Sequence, residues 1–207
     1  MKLLRFLFSK KQPTPSTTVE PDMKFLIACL GNIGADYDFT RHNIGFDVAD
    51  HLAAKHNVSF TSGRYADVAE IRIKGRQLTV IKPTTYMNLS GKAVKYWMDK
   101  EKIAIEHLIV VTDDINLPLG TLRIRKKGSD GGHNGLKNIT EILGSDQYPR
   151  LRFGAGNNFP KGAQVHFVLG KWESEEEADV RTNIERAGNA VISMVLEGID
   201  RAMNTYN

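Results

Sequence analysis

The sequence predicts an α/β fold in three layers, α/β/α, with helices on both faces of a mixed, mostly parallel central sheet. Three observations predict it. Nearly unbroken apolar runs at 24–30 (KFLIACL) and 107–112 (HLIVVT) have the character of strands buried on both faces. Segments whose apolar residues recur at helical spacing alternate with strand-like ones. A Lys74-Gly75-Arg76 turn between two strand-like stretches demands some antiparallel pairing, so the sheet is mixed.

The elements follow in order. The first strand, 24–30, is broken by Gly31 and Gly34. Phe46, Ala49, Leu52 and Ala53 mark a helix over 45–56. Strands over 65–73 and 77–82 flank the hairpin turn. Pro83 ends the second of them, and Ser90 is placed to cap a helix over 91–102. The strand at 107–112 comes next, then a turn at Pro118 and Gly120 and a strand over 121–125. A glycine-rich loop at 128–132 leads into a helix that ends near Gly144, which suits a C-terminal glycine cap. Strands are expected over 151–155 and 166–169. The last helix begins among the acidic residues 173–177, which favour a helix N-terminus. Its Val180, Ile184, Ala187, Val191, Met194 and Val195 give one apolar face, read as core.

These elements make a single domain over 23–207. Residues 1–22 stand apart: MKLLRFLFSKK is a short apolar patch studded with cations, and QPTPSTTVEPD has the composition of an extended linker. Arg5 interrupts the patch and no convincing cleavage site follows, which argues against a secretory signal. The reading adopted is a flexible basic tail with Met23 as an alternative start; weak contact with a membrane surface is the other reading.

Of 207 residues, 41% are apolar and 25% charged, ordinary for a domain with a real core. The charge is unevenly spread. Residues 23–172 carry 21 basic and 14 acidic side chains, whereas 173–207 carry three basic and eight acidic. A basic middle suits a polyanionic partner, and a mixed solvated surface is the plainer reading. Cys29 is the single cysteine, so no internal disulfide forms and a reducing, cytoplasmic setting is expected. No apolar run approaches the roughly 18 residues of a membrane span, and no stable membrane association is expected.

Four polar clusters stand at strand ends or helix starts, where open α/β sheets bind ligands. Gly31-Asn32-Ile33-Gly34 is followed by Tyr37 and Arg41-His42-Asn43. The glycine pair does not complete a dinucleotide fingerprint, and His42 is either a base or an ordinary surface imidazole. Pro83 to Gly91 (PTTYMNLSG) is dense in hydrogen-bonding groups or simply a capped turn. Asp113-Asp114 follows an apolar strand. Without a phosphate-cradling G-x-x-x-x-G-K-[ST] loop it is not a nucleotide-hydrolase site, but an acid there can orient an imidazole. Gly131-Gly132-His133-Asn134 offers free N–H groups at a helix start, and for His133 alone a loop cap is the plainer reading. There is no G-x-S-x-G elbow, no H-E-x-x-H and no cysteine pair for zinc.

In order and spacing, LGNIGADYDFTRHNIGF, KPTTYMNLSGKAV, VVTDDINLPLG and GSDGGHNGLKNI resemble the bacterial peptidyl-tRNA hydrolase family, from about Met23 into the final helix. The resemblance implies a metal-independent, cofactor-free ester hydrolase, a monomer, acting on the acceptor stem and 3′ end of peptidyl-tRNA. His42 would be the general base, Asp113 its orienting acid, and Asn32 the holder of carbonyl or water. Asn88 and Asn134, with His133 beside them, would bind the peptide main chain and ribose. Tyr37, Tyr86 and Met87 would line the cleft. Arg125 and Arg152 match positions that grip a tRNA phosphate, and Lys161 matches more weakly. Three departures stand out: Ile33 replaces the family's usual proline, Asn116 stands where an acid is common, and the segment before Met23 is not part of the usual pattern. A non-catalytic RNA-binding relative and a cysteine hydrolase built on Cys29 are the competing readings. The complete set of polar residues speaks against the first and the expected burial of Cys29 against the second.

Overall fold

A computed structural model describes residues 23–207; the expected tail at 1–22 lies outside the described residues. Four parallel strands form the middle of a seven-stranded sheet. β1 (Lys24–Cys29) lies between β4 (Arg76–Pro83) and β5 (Leu108–Asp114), and β7 (Arg150–Gly154) lies beyond β5. β3 (Ala66–Ile73) and β2 (Thr61–Gly63) extend the sheet antiparallel past β4. β6 (Leu122–Arg125) closes the other edge antiparallel to β7.

Strand alternation divides the core in two, because successive side chains point to opposite faces. Phe25, Ile27 and Cys29 meet α1 (Ile44–Lys55), α5 (Glu177–Leu196) and α6 (Ile199–Tyr206) on one face. Leu26, Ala28 and Leu30 meet α2 (Ser90–Glu101) and α3 (Asn134–Leu143) on the other. Both faces of β1 and β5 are covered, so both read as continuous apolar runs rather than as alternating ones. The three-layer expectation holds: the four central strands are parallel, and the three outer ones join through antiparallel pairs.

Several local expectations need correction. Residues 166–169 are not a strand; most of them belong to α4 (Gln164–Val168). Five residues with alternating polar and apolar character fit either period, and periodicity alone does not decide so short a run. Ser90 does not cap α2: its hydroxyl donates to the Met87 carbonyl, 2.8 Å away, and Leu89 holds the cap position. The final helical stretch is two helices. Gly198, at φ 89°, turns the chain between α5 and α6. β2 escapes the pattern because all three of its residues are exposed. By contrast, Gly144 ends α3 in the left-handed conformation its residue type suggests.

The topology gathers the polar clusters. β1, β4 and β5 run the same way, so their carboxyl ends open on one edge of the sheet. Gly45 lets α1 begin directly against that edge. A Cβ there would overlap the Leu30 backbone and lie 2.9 Å from the Val111 carbonyl oxygen.

Candidate active site

His42 sits in a short 3-10 turn, Arg41–Asn43, immediately before α1. Its Nδ1 is 2.9 Å from Oδ1 of Asp113, the penultimate residue of β5. The carboxylate accepts, so the proton resides on Nδ1 and Nε2 is left as an acceptor toward the cleft. Burial disfavours the imidazolium, but the charge and hydrogen bond of Asp113 outweigh it, and the net shift of the His42 pKa is upward. For Asp113, burial favours the neutral acid. The two histidines facing it reverse that and hold its carboxyl well below the usual range.

The second histidine is His133, the N-cap residue of α3. Its Nδ1 accepts from the Gly135 and Leu136 amides at 3.1 and 3.3 Å, which assigns the proton to Nε2. Nε2 lies 3.0 Å from Asp113 Oδ1 and 2.6 Å from Thr112 Oγ1. One carboxylate oxygen therefore serves two imidazoles. The cap reading of His133 is the one observed. Both of its nitrogens are engaged within the protein, which leaves no polar atom on it for substrate. The neighbouring glycine makes this packing possible: a Cβ at Gly135 would lie 2.7 Å from Met87 Sδ and 2.8 Å from a Leu30 methyl.

Asn32 is buried in the loop three residues beyond β1. Its Oδ1 accepts from the Met87 amide at 2.8 Å, so the side-chain NH₂ is the group left for a ligand. Its backbone is clamped by Asn43, whose Oδ1 accepts from Asn32 N at 2.8 Å and whose Nδ2 donates to Asn32 O at 3.0 Å. Asn43 occupies the cap position of α1 without capping it; its amide is spent on Asn32.

A single cleft is lined by Asn32, His42, Met87, Asn88, Asp113, His133, Asn134 and Arg152. Ile115, Val165, Val168 and Leu169 supply its apolar side, the last three from α4 and the residue after it. Asn88 and Asn134 are exposed there, as groups that meet a ligand must be. Tyr37, Tyr86, Arg125 and Lys161 are not among the lining residues. Tyr86 is 55% exposed beside Met87, and Arg125 and Lys161 are exposed cations.

Arg152 differs from the free cation expected for a phosphate grip. It is buried, with Nη1 2.9 Å from Asp114 Oδ2 and Nη2 donating to the Ser129 carbonyl at 2.7 Å. Its charge is balanced within the protein. Asp114 Oδ1 also accepts from the backbone and side chain of Asn116, at 2.8 and 3.0 Å. The unusual asparagine thus donates to Asp114, where an acid would repel it.

His42, Asp113 and His133 stand close enough to hold a cation. Their second bonds do not favour one. To ligate through Nε2, His133 would have to move its proton to Nδ1, which already accepts two amide protons of α3. Cys29 is fully buried in β1, and burial pushes its thiol pKa up, opposite to what a thiolate nucleophile needs. Arg41 and Asn43 were read in the sequence only as neighbours of His42, Asn43 with a helix cap as its plainer role; their partners Glu176 and Asn32 carried no signal.

A sequence profile of the family described as Peptidyl-tRNA hydrolase matches residues 26–207. The peptidyl-tRNA hydrolase of Bacteroides fragilis is 54% identical over 185 residues, covering 89% of this chain and 99% of that protein. That of Cytophaga hutchinsonii is also 54% identical, covering 89% and 98%. The crystal structure of peptidyl-tRNA hydrolase from Acinetobacter baumannii superposes with a TM-score of 0.84 at 32% identity, over 90% of this chain and 95% of that one.

Proposed function

The chain belongs to the peptidyl-tRNA hydrolase family and is an ester hydrolase of peptidyl-tRNA, and from that premise we propose how its cleft carries out the reaction. His42 is the general base. A water held at Nε2 attacks the ester carbonyl carbon and gives its proton to the ring. Asp113 keeps the ring in the Nδ1–H tautomer and stabilises the imidazolium that forms. The Asn32 NH₂ donates to the carbonyl oxygen as it becomes an oxyanion. Collapse of the tetrahedral adduct breaks the bond to the ribose oxygen, which takes the proton back from His42. The tRNA hydroxyl and the peptide's free acid result, and the acid gives its remaining water proton to solvent as it becomes a carboxylate. Direct attack by water suffices without a covalent intermediate, because the alkoxide of an ester leaves far more readily than the nitrogen anion of an amide.

The observation that carries this reading is the 2.9 Å His42–Asp113 bond beside an Asn32 amide turned NH₂-first into the same cleft. General-base catalysis contributes about 10²–10⁴-fold, and an oxyanion donor about 2.7–4 kcal/mol. Asn88 and Asn134 bind main-chain amide and ribose, groups common to all peptidyl-tRNAs. Met87, with Tyr37 and Tyr86 at the margin, shapes the wall. Arg125, with Lys161 at a distance, meets phosphate, and the Arg123 to Lys127 stretch adds sequence-independent attraction. The chain works as a metal-free monomer with no membrane partner. His42→Ala tests the core of this proposal. Release of peptide from N-acetylaminoacyl-tRNA should be abolished while tRNA affinity persists, and full activity in that variant removes His42 from the mechanism.

A further inference from the structure

Arg41, the residue before the proposed base, is only 4% exposed. The contacts of its side chain all lead to one segment. Nη2 is 2.6 Å from Glu176 Oε2, and Nη1 donates to the Lys171 carbonyl. The guanidinium carbon lies 4.3 Å from the centre of the Phe167 ring and 5.0 Å from that of Trp172. Its backbone N–H donates to Gly170 O at 3.0 Å, and Thr40 bridges Lys171. Residues 167–176 are thus held by an ion pair, two carbonyl bonds and a two-ring stack.

That segment continues α4, whose Val165 and Val168, with Leu169, supply apolar lining to the cleft that Asn32, Asn88 and Asn134 also line. α4 itself has only five residues, and none of them is fully buried. A helix so short does not hold its own position. His42, by contrast, is fixed independently, by Asp113 and by the Asn43 clamp on Asn32.

We propose that Arg41 is a positioning residue that sets the apolar α4 wall at its working distance from the His42 ring, and so governs how tightly the peptidyl end of the substrate is held. The inference rests on the hydrolase reading above. It needs arginine in particular. The planar guanidinium lies over the rings of Phe167 and Trp172 while its fork reaches a carboxylate and a carbonyl. A lysine ammonium keeps the charge but neither the stack nor the second bond.

The test uses Arg41→Lys in the full chain, with N-acetylaminoacyl-tRNA as substrate. A Trp97→Phe background makes Trp172 the single tryptophan. We expect KM to rise roughly three- to tenfold with kcat and its pH profile unchanged, and the fluorescence anisotropy of Trp172 to fall. Glu176→Gln, which keeps shape but removes the charge, should change KM in the same direction and by less; it serves if Arg41→Lys does not fold. An unchanged KM overturns the proposal, as does a fall in kcat with a displaced pH profile, which would place Arg41's action on His42. A wild-type chain inactive on the ester would defeat the hydrolase reading instead, and unchanged Trp172 anisotropy in Arg41→Lys would still refute the clamp on its own.

Discussion

Asn43 grips the Asn32 peptide from both sides, accepting from its N–H at 2.8 Å and donating to its carbonyl at 3.0 Å. Asn43 follows His42 directly, so this grip fixes the proposed oxyanion donor relative to the base. It also holds a loop in which Ile33 replaces the usual proline. Removing it with Asn43→Ala leaves two buried backbone groups unpaired, at about 1–3 kcal/mol each before relaxation. The expected outcome is a lower melting temperature and a kcat reduced about tenfold or more, with KM changed less. Steady-state kinetics beside thermal unfolding checks both.

Asp113→Asn tests the electrostatics of the pair. Asp113 raises the His42 pKa, so the acid limb of the wild-type kcat/KM profile should lie above the ordinary imidazole value of about 6.5. In the variant that limb should move to lower pH, while the maximum falls on the order of 10²–10⁴-fold as the tautomer is lost. For stability the signs oppose each other. The raised His42 pKa stabilises the fold below the unfolded imidazole value and fades as pH rises through its folded pKa. The depressed Asp113 pKa stabilises it above the ordinary carboxylate range and fades as pH falls toward the folded pKa.

Asp47 makes a prediction away from the cleft. Burial first, then the neighbouring charge of Asp50, pushes its pKa up to about 7, against an opposing pull from Lys82. The folded state binds this proton more tightly than the unfolded chain does, so the carboxyl weakens the fold as pH rises from about 4 to about 7. Asp47→Asn should raise the melting temperature by a few degrees at pH 8 and leave it nearly unchanged at pH 4.

The two arginines assigned to phosphate should separate. Arg125→Ala should weaken tRNA binding and reduce the log–log salt slope by about 1, with little change in stability. Arg152→Ala should instead cost about 3 kcal/mol or more of stability, because it strands the buried carboxylate of Asp114. Equal losses of tRNA affinity with no loss of stability in either variant would restore Arg152 to the phosphate grip.

Metal chelation should leave turnover unaltered. The doubly engaged His133 motivates this expectation, and dialysis against EDTA followed by assay without added metal checks it.

Much of this was legible in the residues. The buried runs of β1 and β5 and the stripe of α5 identified the layers, because long apolar patterns carry strong period information. His42, Asp113, Asn32, Asn88 and Asn134 stood at strand ends and helix starts, and the strands that carry or precede the first four end on one edge of the sheet. What stayed hidden depended on partners far along the chain. The cap role of His133 was the plainer reading of its position, but nothing in the letters says that its other nitrogen would share Asp113 with His42, that Arg152 would find Asp114 38 residues away, or that Asn43 would bypass its helix to hold Asn32. The α4 region misled because five residues carry too little pattern to choose a period, and β2 because an exposed edge strand has no apolar face to show.

The shared carboxylate oxygen of Asp113 bears on folding as well as on catalysis. It unites a turn 71 residues upstream with a cap 20 residues downstream. Each imidazole takes its place only when its own segment has docked on β5, so the complete pair needs both, and contacts of long sequence separation are slow to form. Recovery of hydrolysis during refolding should therefore lag behind recovery of helical signal, which makes turnover a clock for the last stage of assembly.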